Sequence, residues 1–568
     1  MHLPTTPRSR LPLAVAVLVV LAVVVAVVAV ATNSSTQPNH ARDAANVAAG
    51  THAGASVNPP AGPGKPESPA SPGSASATDP SANTSPAIEP TLLATPPPRG
   101  RPVIVSIGSR PTGAAMPADF MGLSFEVRSL PTIATYAGKG NFATLLRSLG
   151  PGVMRFGGVS ADEQAAWVPA GASKPAWAST AIDEQDLADL AALAKETGWK
   201  VLLTVNLGHY EPTAAAREAA AAHAQLGSYL TGIEIGNEPD LFPRKHLRPP
   251  GTGVKGYLPQ AETYRAAIEE AAPDTPIAGP DPSTGTQGLT WMRDEATTIH
   301  PQLLTDHYYP LTSCDAHPTV SELLSPNVRR KESEMLGKML ALAHTYATPL
   351  RMDETNDISC EGQPGVSNAF ASALWALDYT ARAMTAGVVG MNFHDLIDQP
   401  RTYSPLAAHG ESALNAGELQ PAPEWYALLA AHTFAGAHPA SRPLTTTIAG
   451  STPGKLSASA MVAPDGKVGL VLVDYDPPDS RPLAVHLRVA RALARGSILR
   501  LTAPSPAATT GTRLGGQAVA ANGTWALPHA LPAVYGHPGS LSLQIAPSSA
   551  AVVTLTPRRH LGRAALGP

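Results

Sequence analysis

Cysteine is almost absent from this chain: Cys314 and Cys360 are the only two in 568 residues, which leaves at most one internal disulfide. Charge is sparse as well. Asp, Glu, Lys and Arg make up 15% of the residues and the formal net charge is −4, with no basic tail, so a nucleic-acid partner is set aside. Aromatic residues are few (5%), and none occurs between residues 32 and 100. The stretch 33–100 is dominated by Pro, Ala, Ser, Thr and Gly and buries too little apolar surface to offset chain entropy, so it is predicted to be a disordered linker. No glycine-rich phosphate loop is found either. The pair Gly157-Gly158 in RFGGVS lacks the spacing of a dinucleotide or P-loop fingerprint, and no cofactor is predicted.

What the chain does have begins with a long apolar run. Residues 11–31 follow two arginines and form an apolar stretch of 21 residues, enough to span a bilayer. The same run ends in Ala29-Val30-Ala31, a signal-peptidase-like site. Residues 1–32 therefore read as a signal peptide or a membrane anchor, and the rest of the chain as extracellular, secreted or held at the cell surface.

The length suits one large domain plus a smaller one. Past residue 100, eight short apolar runs, at 120–127, 152–157, 200–208, 231–237, 275–280, 303–309, 349–355 and 387–394, alternate with helical patterns at 183–197, 212–226, 259–271, 321–346 and 366–386. That alternation predicts parallel βαβ units, and eight of them fit an α/β fold of the (β/α)8 TIM-barrel type over 119–435, with a doubly wound sheet as the alternative. From 436 to 558 the runs turn short and β-like, at 467–476, 484–490, 496–503, 523–527, 539–547 and 552–556, and predict a C-terminal antiparallel β-sandwich. Residues 101–118 carry an extra strand to join it, and 559–568 form a tail.

In such a barrel, chemistry sits at the carboxyl ends of the strands. The fourth run, TGIEIGNEP, ends in Asn237-Glu238, the sixth in Asp306-His307-Tyr308-Tyr309 and the seventh in Asp353-Glu354, while Asn206 closes the third. Two carboxyl groups facing each other across the mouth suit glycoside hydrolysis. Glu238 is assigned as acid/base and Glu354 as nucleophile. Asn237 is placed to bond a sugar hydroxyl, and Tyr308 or Tyr309 to hold Glu354. Alone, each glutamate also reads as a turn residue or cap; their matched strand positions argue for chemistry. Alternation turns Glu234 inward below Glu238, with Arg155 as its candidate partner, and turns Asp353 away from the axis. Trp167, in a loop, is a candidate subsite residue. His307 and His394 lack a third ligand at metal spacing, so no metal is predicted.

With those residues in view, GNEP (236–239) resembles the acid/base motif of glycoside hydrolase clan A, and residues 351–395 resemble the nucleophile region of glycoside hydrolase family 79, the β-glucuronidases and heparanases. RFGGVS, VNLG (205–208) and PEWY (423–426) are similar to further segments of that family, and the likeness runs from about residue 101 to 558. The resemblance implies that a uronic carboxylate is held by backbone N–H groups around Gly362 and Gly365 and by Tyr403. The chain departs from the family pattern at Glu361, where glycine is expected, and at Val159, where asparagine is expected. Cys314 and Cys360 follow neighbouring strands six and seven, so a disulfide there would fasten two loops beside the site; two inert thiols are the alternative. The function implied is retaining hydrolysis of terminal β-D-glucuronic acid from a carbohydrate substrate. The alternatives are a clan A β-xylosidase or arabinofuranosidase, and a surface carbohydrate-binding protein without catalysis.

Overall fold

Eight of the short apolar runs form strands, in a computed structural model that describes residues 90–557 apart from 284, 437–439, 451–453, 491–492 and 538–539. The predicted anchor or signal peptide (1–32), the linker as far as residue 89 and the tail (559–568) lie outside the described residues.

The strands are β1 (Met121–Glu126), β2 (Val153–Gly157), β3 (Lys200–Val205), β4 (Leu230–Ile235), β5 (Ile277–Gly279), β6 (Leu303–Tyr308), β7 (Leu350–Thr355) and β8 (Gly390–His394). Each pairs in parallel with the next, and β8 pairs with β1, so the sheet closes into a barrel rather than the open sheet held as alternative. Alternation does the sorting. Leu123, Phe125, Met154, Phe156, Ile233 and Ile235 enter the large apolar core shared with the helices. Val153, Leu202 and Ala278 form a small separate cluster that fills the amino-terminal end of the barrel. The carboxyl end is left to Ser124, Arg155, Thr204 and Glu234, all buried.

The helices follow local chemistry. Glu184–Thr197 begins with a capping box made by Asp183 and ends at Gly198, whose φ of 74° is the left-handed geometry glycine adopts without strain. The long helix predicted over 321–346 is broken into Val320–Leu323 and Pro326–Thr345, because Ser325 caps the second piece and Pro326 occupies its first turn.

The predicted antiparallel β-domain is present, joined by the N-terminal strand, and its strands run edge to edge. It is one ten-stranded sheet in which Arg101–Pro111 lies between Arg442–Gly450 and Leu483–Val489. The pairing of Arg101–Pro111 with Leu483–Val489 is parallel, the exception to an otherwise antiparallel order. Val103, Leu472, Val485, Leu543 and Val553 share one core, so the sheet folds around its own apolar face. Residues 523–527 form no strand: Gly523 sits at φ +81° and the Asn522 side chain accepts from Thr524 N, which is turn chemistry. The predicted linker also ends earlier than residue 100. Thr91–Leu93 pairs with Ala530–Pro532, and that backbone ladder orders a sequence with little apolar surface of its own.

Candidate active site

A single buried cation organises the barrel mouth. Arg155, fully buried on β2, donates from Nε to Glu234 Oε2 (2.8 Å), from Nη1 to Glu354 Oε2 (2.8 Å) and Ser124 Oγ (3.1 Å), and from Nη2 to Asn237 Oδ1 (2.9 Å) and Asp281 Oδ2 (3.1 Å). Asp353 Oδ2 lies 3.3 Å from Nε. Glu234 thus has the partner its depth requires. Asp353 does not turn away from the axis as alternation predicts. The pairing of β6 with β7 shifts register between Thr305/His307 and Arg351/Glu354, and this bulge brings Asp353 and Glu354 both inward.

Glu354 ends β7 within reach of three further groups. Tyr309 Oη donates to its Oε1 at 2.8 Å, His394 Nδ1 lies 3.3 Å from Oε2, and His307 Nδ1 lies 3.9 Å from Oε1. Burial pushes the Glu354 carboxyl upward, but His394, His307 and Arg155 outweigh it and hold the group well below the usual carboxylate range. Both histidines respond in kind. Burial disfavours their charged forms, yet Glu354 lifts His394 above its ordinary value, and Glu354 with Asp353 lifts His307 well above. Asp281 behaves oppositely: burial, with Asp353 and Glu234 beside it, pushes its carboxyl well above the ordinary range.

Glu238 stands across from Glu354. It follows β4 at φ +50°, a left-handed conformation, with its N–H donating to Asp281 O (2.9 Å) and its Oε1 3.3 Å from His307 Nδ1. Glu238, His307 and Glu354 each place one atom within 4.8 Å of the others, and so do Asp281, His307 and Asp353. Both sets could ligate a metal ion by residue type, but His307 already bridges Glu238 and Asp353 and Arg155 supplies the cationic charge.

The predicted binding residues divide. Asn237 Oδ1 is taken by Arg155 and by Gly158 N (2.9 Å each), so its NH2 group stands apart from those two bonds. Tyr309 holds Glu354. Tyr308 does not reach the site: alternation turns it outward, where its ring packs on Tyr379 (centroids 6.1 Å). Tyr403 is buried against Tyr309 (5.9 Å) and His394 (5.6 Å), at the back of Glu354. Gly362 also lies beside Tyr403, since a Cβ there would meet Tyr403 N at 3.0 Å. Gly365 does not offer its N–H, which donates to Asn368 Oδ1 at 2.7 Å. Asn206 is likewise used locally, by Ala161 O, Ala165 O and His209 N. Cys314 and Cys360 form a disulfide with Cα atoms 5.5 Å apart, joining the segments after β6 and β7.

Sequence reasoning missed Asp162. Its Oδ1 accepts from Leu207 N and Gly208 N and its Oδ2 from Asn237 N (2.8, 2.7 and 2.7 Å), so one buried carboxylate ties the ends of β3 and β4 together. It was also silent on Asp281, which follows the very short β5. A buried carboxylate bonded only to backbone N–H groups leaves no sequence signal; an acidic residue straight after a strand-ending Gly-Pro is the one clue to Asp281.

No family model matches the chain. A β-glucuronidase of Aspergillus niger is 26% identical over 193 residues, 31% of this chain, and one of Neurospora crassa is 25% identical over 222 residues, 35% of this chain. The chain spans 36% and 37% of the length of these relatives. Among solved structures, a 4-O-α-L-rhamnosyl-β-D-glucuronidase from Fusarium oxysporum 12S, complexed with Rha-GlcA, superposes with a TM-score of 0.66 at 18% identity over 80% of this chain and 100% of its own. A family 51 arabinofuranosidase from Xanthomonas axonopodis pv. citri gives 0.58 at 14% identity, covering 80% and 100%. These neighbours carry the (β/α)8 barrel with an added β-domain, and the curated relatives fit the resemblance to glycoside hydrolase family 79.

Proposed function

We propose that this protein is a retaining glycoside hydrolase that releases terminal β-D-glucuronic acid from glycosides or glycans. The observation that carries the reading is the Glu238–Glu354 pair: two carboxyl groups with atoms within 4.8 Å, close to the spacing of about 5 to 5.5 Å that retaining enzymes use and short of the wider gap that an inverting water needs. Glu354, ionised under Arg155 and His394, attacks the anomeric carbon while Glu238 gives its proton to the departing oxygen. The glycosyl ester on Glu354 is then cleaved by water that Glu238 deprotonates, and two inversions give net retention. Tyr309 fixes the attacking oxygen and Asn237 offers its NH2 to a sugar hydroxyl. The similarity to β-glucuronidases of Aspergillus niger and Neurospora crassa supports glucuronic acid as the sugar.

A neutral-sugar glycosidase is the second reading, favoured by Glu361. This carboxylate is exposed at φ +65° in the loop after β7, and it is among the charges that act on Tyr403, where a uronate would sit. A binding protein without catalysis is disfavoured by the presence of both glutamates. The N-terminal segment supports a place at the cell surface or outside the cell. The test is hydrolysis of p-nitrophenyl β-glucuronide against the xyloside and arabinofuranoside, with the product anomer followed by NMR. Turnover of the glucuronide with retention supports the reading; inversion, or preference for a neutral sugar, sinks it.

A further inference from the structure

Tryptophan is scarce, and most of it is spent on packing. Of the seven, Trp199, Trp375 and Trp425 are fully buried, Trp291 lies in the core and Trp525 packs against it. Trp167 and Trp177 each lean on an apolar cluster and also line a cavity of about 250 Å3 together with Asn206, His209, Glu211 and Glu218. Trp177 is stacked flat on His209, with centroids 3.6 Å apart and planes at 10°, so His209 covers one face of the indole, fixes its orientation and leaves the opposite face to a ligand. Trp167, in the same lining, has its Nε1 buried without a hydrogen-bond partner among the described residues, an unmet donor. Burial pushes the Glu218 carboxyl up to about 8, so at neutral pH it both donates and accepts. A flat aromatic face with a few convergent polar groups is how a pocket holds a sugar ring.

The cavity also has a definite place relative to the chemistry. Asn206 and His209 flank Leu207 and Gly208, whose N–H groups hang on Asp162, and the other oxygen of Asp162 holds Asn237, the residue before Glu238. The cavity therefore adjoins the acid/base side of the mouth, after β3, and not the segments after β7 and β8 that carry Glu354, Gly362 and Tyr403. The group Glu238 protonates is the leaving group. The lining includes no Lys or Arg, Glu211 is its one carboxylate because burial keeps Glu218 protonated, and Lys174 in the same loop donates to the Ala178 carbonyl.

We propose that this cavity is the leaving-group subsite, that it holds an uncharged pyranose against Trp177 and Trp167, and that it rejects a sulfated or carboxylated one. The proposal rests on the glucuronidase reading above. It is tested with three substrates: β-glucuronyl fluoride, which has no leaving sugar, a β-glucuronyl-galactose disaccharide, and that disaccharide sulfated on galactose. For the parent, sulfation is expected to lower kcat/KM by about tenfold or more. For Trp177→Ala, or Trp177→Phe should the first not fold, the ratio of disaccharide to fluoride kcat/KM is expected to fall, by about tenfold for the alanine variant. For Glu211→Lys, an exposed change, relative use of the sulfated disaccharide is expected to rise. An unchanged ratio in the Trp177 variants, or equal use of both disaccharides by the parent, overturns the subsite while leaving the glucuronidase reading intact. A folded parent that turns over none of the three sinks that reading and the subsite with it.

Discussion

Arg155 Nη1 lies 2.8 Å from Glu354 Oε2, and the same guanidinium also contacts Glu234, Asp281 and Asp353. One buried cation thus serves four carboxyl groups, of which Glu354 is the assigned nucleophile. Replacing Arg155 by Met keeps the volume and removes the charge. The ionised carboxylates then stay buried without it, at a cost of roughly 3 to 5 kcal/mol. Chemical denaturation is expected to show that loss; a loss under about 1 kcal/mol would mean that the carboxyl groups are held mainly by their other partners.

Much of this arrangement was legible in the sequence, and the illegible part has identifiable causes. The eight strands stand out because their apolar periods are short and their helices long, and Glu238 and Glu354 follow from counting to strands four and seven. Alternation and depth along β4 placed Glu234 beneath Glu238, where it meets Arg155. Asp353 was misread because a bulge, invisible in a single strand, breaks the alternation. Tyr308 and Tyr309 could not be told apart without the register that sends one outward. The turn in which Asn368, three residues on, takes the Gly365 N–H was not legible either. The continuous ten-stranded sheet was hidden because its pairings join residues hundreds of positions apart, as Ile104 with His486.

The two glutamates are expected to fail differently. Glu354→Gln is expected to abolish turnover while sugar binding persists, because no covalent intermediate forms. Glu238→Ala is expected to lose about a hundredfold or more on a substrate with a poor leaving group and much less on an activated aryl glycoside, where proton donation matters little. Steady-state kinetics on both substrates checks the split; equal losses on the two would remove the acid role from Glu238.

Tyr309→Phe removes one hydroxyl and leaves the ring against Tyr403. The 2.8 Å bond it loses is to a charged group, worth about 1.5 to 3 kcal/mol, so kcat/KM is expected to drop by about tenfold or more with the fold unchanged. A matched fall in thermal stability would assign Tyr309 to structure instead.

His394 and His307 hold Glu354 ionised against its burial, with Arg155. Taking away the His394 charge with His394→Gln raises the Glu354 pKa, so Glu354 becomes protonated, and inactive, at a higher pH than in the parent. The acid limb of the kcat/KM profile is expected to move upward by about one pH unit or more. An acid limb that stays in place would show that another group sets it.

Several buried acids other than Glu238 and Glu354 retain their protons. Burial pushes Glu295 and Glu218 up to about 8 and Asp357 up to about 7, whereas in an unfolded chain such groups ionise near pH 4. Between about pH 4 and those values the folded state binds more protons than the unfolded one, so stability falls as pH rises through that window. His307 and His394 act in the same sense. Their folded values are raised, so their contribution is fully present below the unfolded histidine value and is lost as pH rises through the folded one. The Tm is therefore expected to be lower at about pH 8 than at about pH 5. Glu295→Gln, on the helix Gly288–Thr298 and outside the site, removes one of these proton differences and is expected to flatten the slope without changing its sign. A slope unaltered by Glu295→Gln would show that Glu295 ionises in the folded protein much as it does in water. A Tm that rises over the interval would show that carboxyls with lowered values, such as Glu354 and Asp353, outweigh the raised groups.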